Sequence, residues 1–205
     1  MSFKKNKYKI VRGAISKELA SFVYSYFLKK RQVCHFLLKE KYISPFAEYW
    51  GVWTDPQAPN TYSHYGDTAM ETLLEALKTK MEKETDYKLN ETYSYARIYK
   101  NGDILHRHKD RDACEVSATL NLGGDPWTIY LDPTGKTGQA GIPVDLEPGD
   151  MLLYSGCDLE HWREEFKGKD CAQVFFHYND ITTKKGKENK FDSRPFLGLP
   201  AWFKK

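Results

Sequence analysis

After Asp86 the apolar residues stop recurring every three or four positions and begin to alternate with polar ones. This change of period confines the chain to a helical layer followed by a strand-built body. The run TYSYARIY sets Tyr93, Tyr95, Arg97 and Tyr99 against Ser94, Ala96 and Ile98, and Asn101-Gly102 then signals a turn. HRHKD returns, and VSATLNL, WTIYL, PVDL, MLLYSG and AQVFFHY follow, divided by Gly-Gly-Asp-Pro, a glycine-rich loop from Asp132 to Gly141 and a Pro-Gly turn. Short strands at this spacing indicate a β-sandwich or barrel rather than βαβ units.

Upstream, SKELASFVYSYFLKK places Leu19, Phe22, Val23, Tyr26 and Phe27 on one helical face, with Ser16 as N-cap. Thr68 and Glu71 have capping-box spacing ahead of the stripe Met70, Leu73, Leu74, Leu77 and Met81, so a second helix should run to about Glu84. Residues 34–66 have no clear period and read as short strands and loops. The expected fold is mainly β with flanking N-terminal helices (α+β), the helices packed on one face of a jelly roll. Helical support over about 16–85, a core over about 90–180 and a basic tail over 181–205 make one expected domain, 1–205.

The net charge of +3 is a property of that tail, where seven Lys/Arg and two Asp/Glu leave +5 and the rest of the chain sums to −2. A solvated tail is the expectation, and a nucleic-acid partner is not. No apolar run approaches the ~18 residues that spanning a bilayer needs, so no membrane association is expected. MSFKKNKYKI has neither an apolar stretch nor a cleavage site behind its lysines, which makes the cytoplasm the expected location. Cys34, Cys114, Cys157 and Cys171 lack CxxC spacing and read as reduced thiols.

HRHKDRD holds the residues most suited to chemistry. On an extended strand His106, His108 and Asp110 project to one face, and an Asp facing a barrel interior is costly unless it is paired or holds a cation. Taken alone, the stretch also fits a polar edge strand. The signal sharpens 53 residues past His108, where EPGDMLLYSGCDLEHWREEF delivers an apolar strand and then His161. Two histidines and one carboxylate on one side of a ferrous ion leave three positions open for a cosubstrate and oxygen, whereas zinc favours closed N/S sets and magnesium oxygen ligands.

The order of features, namely helices, a strand ending in RIYKNGD, HxD, then PGD with an apolar strand and a distal His, resembles the prolyl 4-hydroxylase-like branch of the iron(II)/2-oxoglutarate-dependent oxygenases over roughly residues 8–180. The resemblance implies a double-stranded β-helix with His108, Asp110 and His161 as metal ligands. It implies Fe(II), with 2-oxoglutarate and O2 as cosubstrates, and leaves room for ascorbate. The family commonly has Lys or Arg about ten residues past the distal His to take the far carboxylate of 2-oxoglutarate, but Cys171 stands there. Arg163, in phase with His161, is the first candidate for that role and Lys169 the second, with a salt bridge to Glu160, Glu164 or Glu165 the structural alternative for Arg163.

Tyr99 occupies a position where the family often has a cosubstrate-touching tyrosine. Arg97 on the same aromatic face needs an anion, which could be 2-oxoglutarate, a substrate or Glu115. His106 is expected to line the substrate pocket or buttress the ligands, and His35, His64 and His177 to be structural. The spacing of the cupin metal motif, another jelly-roll signature, is not met. The implied reaction hydroxylates a C–H bond, with release of succinate and CO2, and a peptidyl proline is the family-based substrate. The other readings are an oxygenase acting on a small molecule or nucleobase, and a non-catalytic metal-binding jelly-roll module. Substrate choice is expected to lie in segment 45–66, loop 132–141 and the tail.

Overall fold

The computed structural model describes residues 2–204. Its strands are β1 (Tyr8–Val11), β2 (Tyr62–Tyr65), β3 (Leu89–Lys100), β4 (Leu105–His108), β5 (Val116–Gly124), β6 (Ile129–Leu131), β7 (Ile142–Val144), β8 (Met151–Ser155), β9 (His161–Arg163) and β10 (Asp170–Asp180). They make two antiparallel sheets, one six-stranded in the order β1-β8-β5-β10-β3-β2 and one four-stranded in the order β4-β9-β6-β7. Leu152 and Tyr154 of the large sheet pack with Ile129, Leu131 and Val144 of the small one. This is the expected jelly roll.

Alternation along β10 divides the two sides of the large sheet. Ala172, Val174, Phe176 and Tyr178 face outward into the main core, while Cys171 and Phe175 face inward with Tyr99 and Phe166. Two helices cover the outer side, α2 (Lys17–Lys39) through Ala20, Val23 and Phe27, and α3 (Thr68–Thr85) through Met70, Leu74, Leu77 and Met81. The elements α1 (Phe3–Asn6) and α4 (Lys184–Glu188) are single turns.

The helical readings need three corrections. Ser16 caps α2 as expected, accepting from the Leu19 N–H, but the helix continues to Lys39 and so absorbs residues 34–39. Its buried stripe follows Ala20, Val23 and Phe27, which leaves Phe22 70% exposed. The N-cap of α3 is Asp67, whose Oδ1 accepts from the Ala69 and Met70 N–H groups. Glu71 closes no capping box; it is buried one turn into the helix and paired with Arg194 at 2.7 Å.

In the C-terminal segment Lys184, Lys185, Lys187, Lys190 and Lys204 are exposed, as expected of a solvated tail, but the segment is docked at Arg194. Arg194 is fully buried and also donates to the Thr92 and Leu199 carbonyls. Breaking such a buried pair from one side typically costs about 3–5 kcal/mol, because the remaining charge stays in the core. Met1 and Lys205, the last residue of that tail, lie outside the described residues. Among the described residues no helix is long and apolar enough to cross a membrane.

Candidate metal centre

Strand β4 ends at the small sheet's edge with His108, β9 begins with His161, and the two are register partners. Leu105 pairs with Arg163 in the same ladder, so β4 takes three steps where β9 takes two. The extra residue is a β-bulge, and it breaks the alternation on which the reading of His106 depended. Leu105 is buried and His108 reaches the cavity, while the His106 side chain is exposed. His106 therefore contributes its carbonyl and not its ring, accepting from His108 Nδ1 at 2.7 Å.

His161 Nδ1 likewise donates to the Leu159 carbonyl at 3.1 Å. With each Nδ1 spent on a carbonyl, the Nε2 atoms are the ones left to face an ion, the orientation in which a metal binds a neutral ring. They converge on Asp110 Oδ1, at 3.6 Å from His108 and 3.4 Å from His161. Asp110 sits just past β4, tied by its N–H to the Gly156 carbonyl at 2.9 Å. Gly156 leaves room for the carboxylate, since a Cβ there would overlap Asp110 Oδ2 and the Cys114 carbonyl. Burial raises the Asp110 pKa, but His161, His177 and the Ser117 hydroxyl together hold it below the ordinary carboxylate range. Burial, with His161 beside it, lowers that of His108. The three side chains thus form a set of candidate ligand atoms within 4.8 Å of one another.

A cavity of about 510 Å³ opens beside the triad, lined also by Tyr93, Tyr95, Arg97, Tyr154, Phe175 and His177. Two side chains missed in the sequence come from the unpatterned segment ahead of β2. The Gln57 amide donates to His108 Nε2 at 3.0 Å, on the nitrogen that faces the triad. Asp55 accepts from Arg97 and from the Tyr95 hydroxyl. Asp55 is therefore the anion that Arg97 required, and Glu115 is not, being bound to Asn179 and the Asp180 N–H. Arg97 also donates to the Tyr99 hydroxyl at 3.2 Å, and the Tyr99 ring packs edge-on against Trp127 with 4.8 Å between centroids.

Arg163 is 1% exposed, with its guanidinium over the Trp127 ring and one nitrogen donating to the Trp127 carbonyl. Its Nε and Nη2 have no hydrogen-bond partner among the described residues. None of the expected glutamates pairs with it: Glu160 takes Arg107 and the Gly138 N–H, and Glu164 accepts from Trp162. Burial pulls the Arg163 pKa below that of an ordinary guanidinium, and Cys171, Tyr99 and Tyr154 oppose this. Lys169 stays outside: β10 starts at Asp170, not earlier, and the Lys169 side chain is exposed while its N–H donates to Asp125. Strand phase aimed it at the interior, but the strand begins one residue too late to carry it there.

No family model and no curated protein matches the sequence. The structure is similar to a prolyl-4-hydroxylase from Pseudomonas putida, with 16% identity, 87% of this chain and 95% of that chain covered, and a TM-score of 0.58. It is also similar to HygX from Streptomyces hygroscopicus, solved with nickel and 2-oxoglutarate bound (15% identity, 89% and 86% covered, TM-score 0.61). A prolyl hydroxylase from Trichoplax adhaerens, in complex with a hypoxia inducible factor peptide fragment, gives 15%, 92% and 87%, and a TM-score of 0.58. At these identities the likeness is one of fold. The chain has the fold of the iron(II)/2-oxoglutarate-dependent oxygenases, prolyl hydroxylases among them.

Proposed function

We propose that the chain is a single-domain Fe(II)- and 2-oxoglutarate-dependent dioxygenase that hydroxylates a C–H bond. The observation that carries this reading is the convergence of two imidazole Nε2 atoms on one carboxylate oxygen at the wall of a cavity. His108, Asp110 and His161 would hold the iron, on one side only, as the donor set of a facial triad does. Ferrous iron bound there supplies the coupling of O2-dependent decarboxylation of 2-oxoglutarate, to succinate and CO2, with insertion of oxygen into substrate.

The residues of the chain have binding and positioning tasks. Arg163 is proposed to take the far carboxylate of 2-oxoglutarate. A buried guanidinium with two unpartnered nitrogens is costly by itself, and a planar carboxylate satisfies both. This relocates to β9 the positive charge that the family pattern puts on β10, where Cys171 stands. The Trp127 ring, under the guanidinium and edge-on to Tyr99, would hold Arg163 for that carboxylate. Arg97, held by Asp55 at the cavity wall, is proposed to face the substrate side.

A peptidyl proline is the proposed substrate, supported by the prolyl hydroxylases among the similar folds. A small molecule is the second reading, favoured by a cavity whose volume falls in the usual range for such ligands. Two measurements test the proposal. Anaerobic addition of Fe(II) and 2-oxoglutarate should give a weak visible charge-transfer band that His108→Ala lacks. Succinate release should then rise with one class in a panel of prolyl peptides, amino acids and other small molecules. Absence of the band in the wild-type protein would overturn the assignment.

A further inference from the structure

Resting on the metal-site reading above, we infer that His177 is a positioning residue, acting through Ser117 to hold Asp110 with one oxygen toward the histidines and the other turned away. Ser117 on β5 and His177 on β10 are register partners on the interior face. The Ser117 hydroxyl lies 2.9 Å from Asp110 Oδ2, 2.9 Å from His177 Nδ1 and 3.1 Å from the Cys114 carbonyl. A hydroxyl has one proton to give and two lone pairs. Were His177 Nδ1 unprotonated, three acceptors would compete for that proton and Asp110 would share its donor. With Nδ1–H donating to Oγ, the proton is left for Asp110 or the Cys114 carbonyl, and the charged acceptor makes the stronger bond.

The ring of His177 is held for this task. It is buried, and Tyr93 packs on it with 4.5 Å between centroids. Burial pushes its pKa down to about 4, so at neutral pH it carries a single ring proton. The result is a chain of hydrogen bonds from His177 to Ser117 to Asp110 Oδ2, leaving Oδ1 for the triad. A carboxylate gripping the ion with both oxygens would fill one of the positions the facial triad leaves open. Asp110, Cys114 and His177 also lie close enough to hold an ion of their own. The Ser117 hydroxyl already bridges Asp110 and His177, however, and the Cys114 thiol contacts the Tyr93 hydroxyl at 3.1 Å. These groups therefore act as support for the first site and not as a second one.

Calorimetric titration with Mn(II) alone tests the inference without turnover. Ser117→Ala and His177→Phe should each weaken binding about tenfold to a hundredfold, as loss of a ligand-orienting partner does. His177→Asn, whose amide N–H replaces Nδ1–H, should stay within about threefold of wild type, whereas His177→Gln, whose amide sits where Nε2 does, should not. The double variant Ser117→Ala/His177→Phe should bind no more weakly than Ser117→Ala. Wild-type affinity in Ser117→Ala, equal affinities in His177→Asn and His177→Gln, or additive losses in the double variant would overturn the positioning role. Thermal melting accompanies each variant; if His177→Phe fails to fold, the Asn and Gln pair decides. A wild-type protein that binds Mn(II) no better than His108→Ala overturns instead the metal-site reading itself.

Discussion

His108 and His161 stand as direct partners across the β4–β9 ladder, with ring centroids 4.2 Å apart and interplanar angle 54°. The bulge between Leu105 and His108 creates that pairing, and a strictly alternating strand would have matched a different residue to His161. The geometry brings both Nε2 atoms to the same carboxylate oxygen, Asp110 Oδ1.

Gly156→Ala should damage the metal site more than the fold. The added methyl meets the Asp110 carboxylate and the Cys114 carbonyl, and the carboxylate is the more movable of the two. Overpacking of this kind costs about 1–3 kcal/mol. Calorimetry should find Mn(II) binding weakened at least about tenfold, with a loss in melting temperature of several degrees at most. A variant that binds Mn(II) normally would mean that Asp110 is not confined by this contact.

Arg163→Met should separate stability from cosubstrate binding. Replacing a buried cation that has no carboxylate partner among the described residues by an apolar side chain of similar length should leave the melting temperature unchanged or raise it. Charge-assisted hydrogen bonds to the 2-oxoglutarate carboxylate are worth about 1.5–3 kcal/mol, so anaerobic binding should weaken by roughly tenfold to a hundredfold or more. Lys169→Ala should leave it unchanged. The reverse ranking of the two variants would move the carboxylate site to the Lys169 loop.

Gln57→Ala should tighten metal binding. The amide donates to the lone pair His108 would offer an ion, and any ion must displace it. Such a bond contributes about 0.5–1.5 kcal/mol net, which corresponds to about twofold to tenfold in affinity. Unchanged or weaker Mn(II) binding in the calorimeter would show that the contact does not compete.

The sequence made the triad legible because its parts depend on short-range pattern. HxD places two of the candidate ligands within three residues, and the apolar strand MLLY after Pro-Gly locates the third. His106 does buttress a triad histidine, but through its carbonyl, and that its ring would turn outward was not legible because a bulge adds a residue without marking the alternation. Asp55 and Gln57 were invisible for another reason: they reach the cavity from a stretch without period, where placement is decided by tertiary closure. Composition fitted the exposed lysines of the tail but missed Arg194, since counting charges says nothing of partners and Arg194 finds Glu71 123 residues away. At α3, Asp67 and Thr68 are adjacent residues of cap-forming type, and only the backbone bonds choose between them. Ser117 and His177 carried no signal of their own, because Thr119 and Asn121 on β5 and Gln173 and Asn179 on β10 are polar too, and only the pairing of the strands singles these two out.

Asp192 should make stability fall in acid. Phe191, Asp192 and Ser193 all have positive φ, at 55°, 54° and 64°, a conformation costing about 1–2 kcal/mol per non-glycine residue. Asp192 holds this turn in place by accepting from Arg111 through both oxygens, from the Tyr65 hydroxyl and from Lys204. Burial raises its pKa, but the hydrogen bonds from Arg111, Lys204 and Tyr65 win and bring it to about 2. The folded pKa lies below the unfolded value of about 3.9. The stabilisation is therefore fully present above about pH 4 and is lost as pH falls toward 2. Asp192→Asn should cost about 1.5–3 kcal/mol at pH 7, and the gap from wild type should close as pH approaches 2. Urea unfolding at pH 7, 4 and 2.5 measures this, and a gap that stays constant across the series would remove Asp192 from the acid response. Because Arg111 follows Asp110 directly in the chain, the same variant should weaken Mn(II) binding at pH 7, by a factor smaller than Ser117→Ala produces.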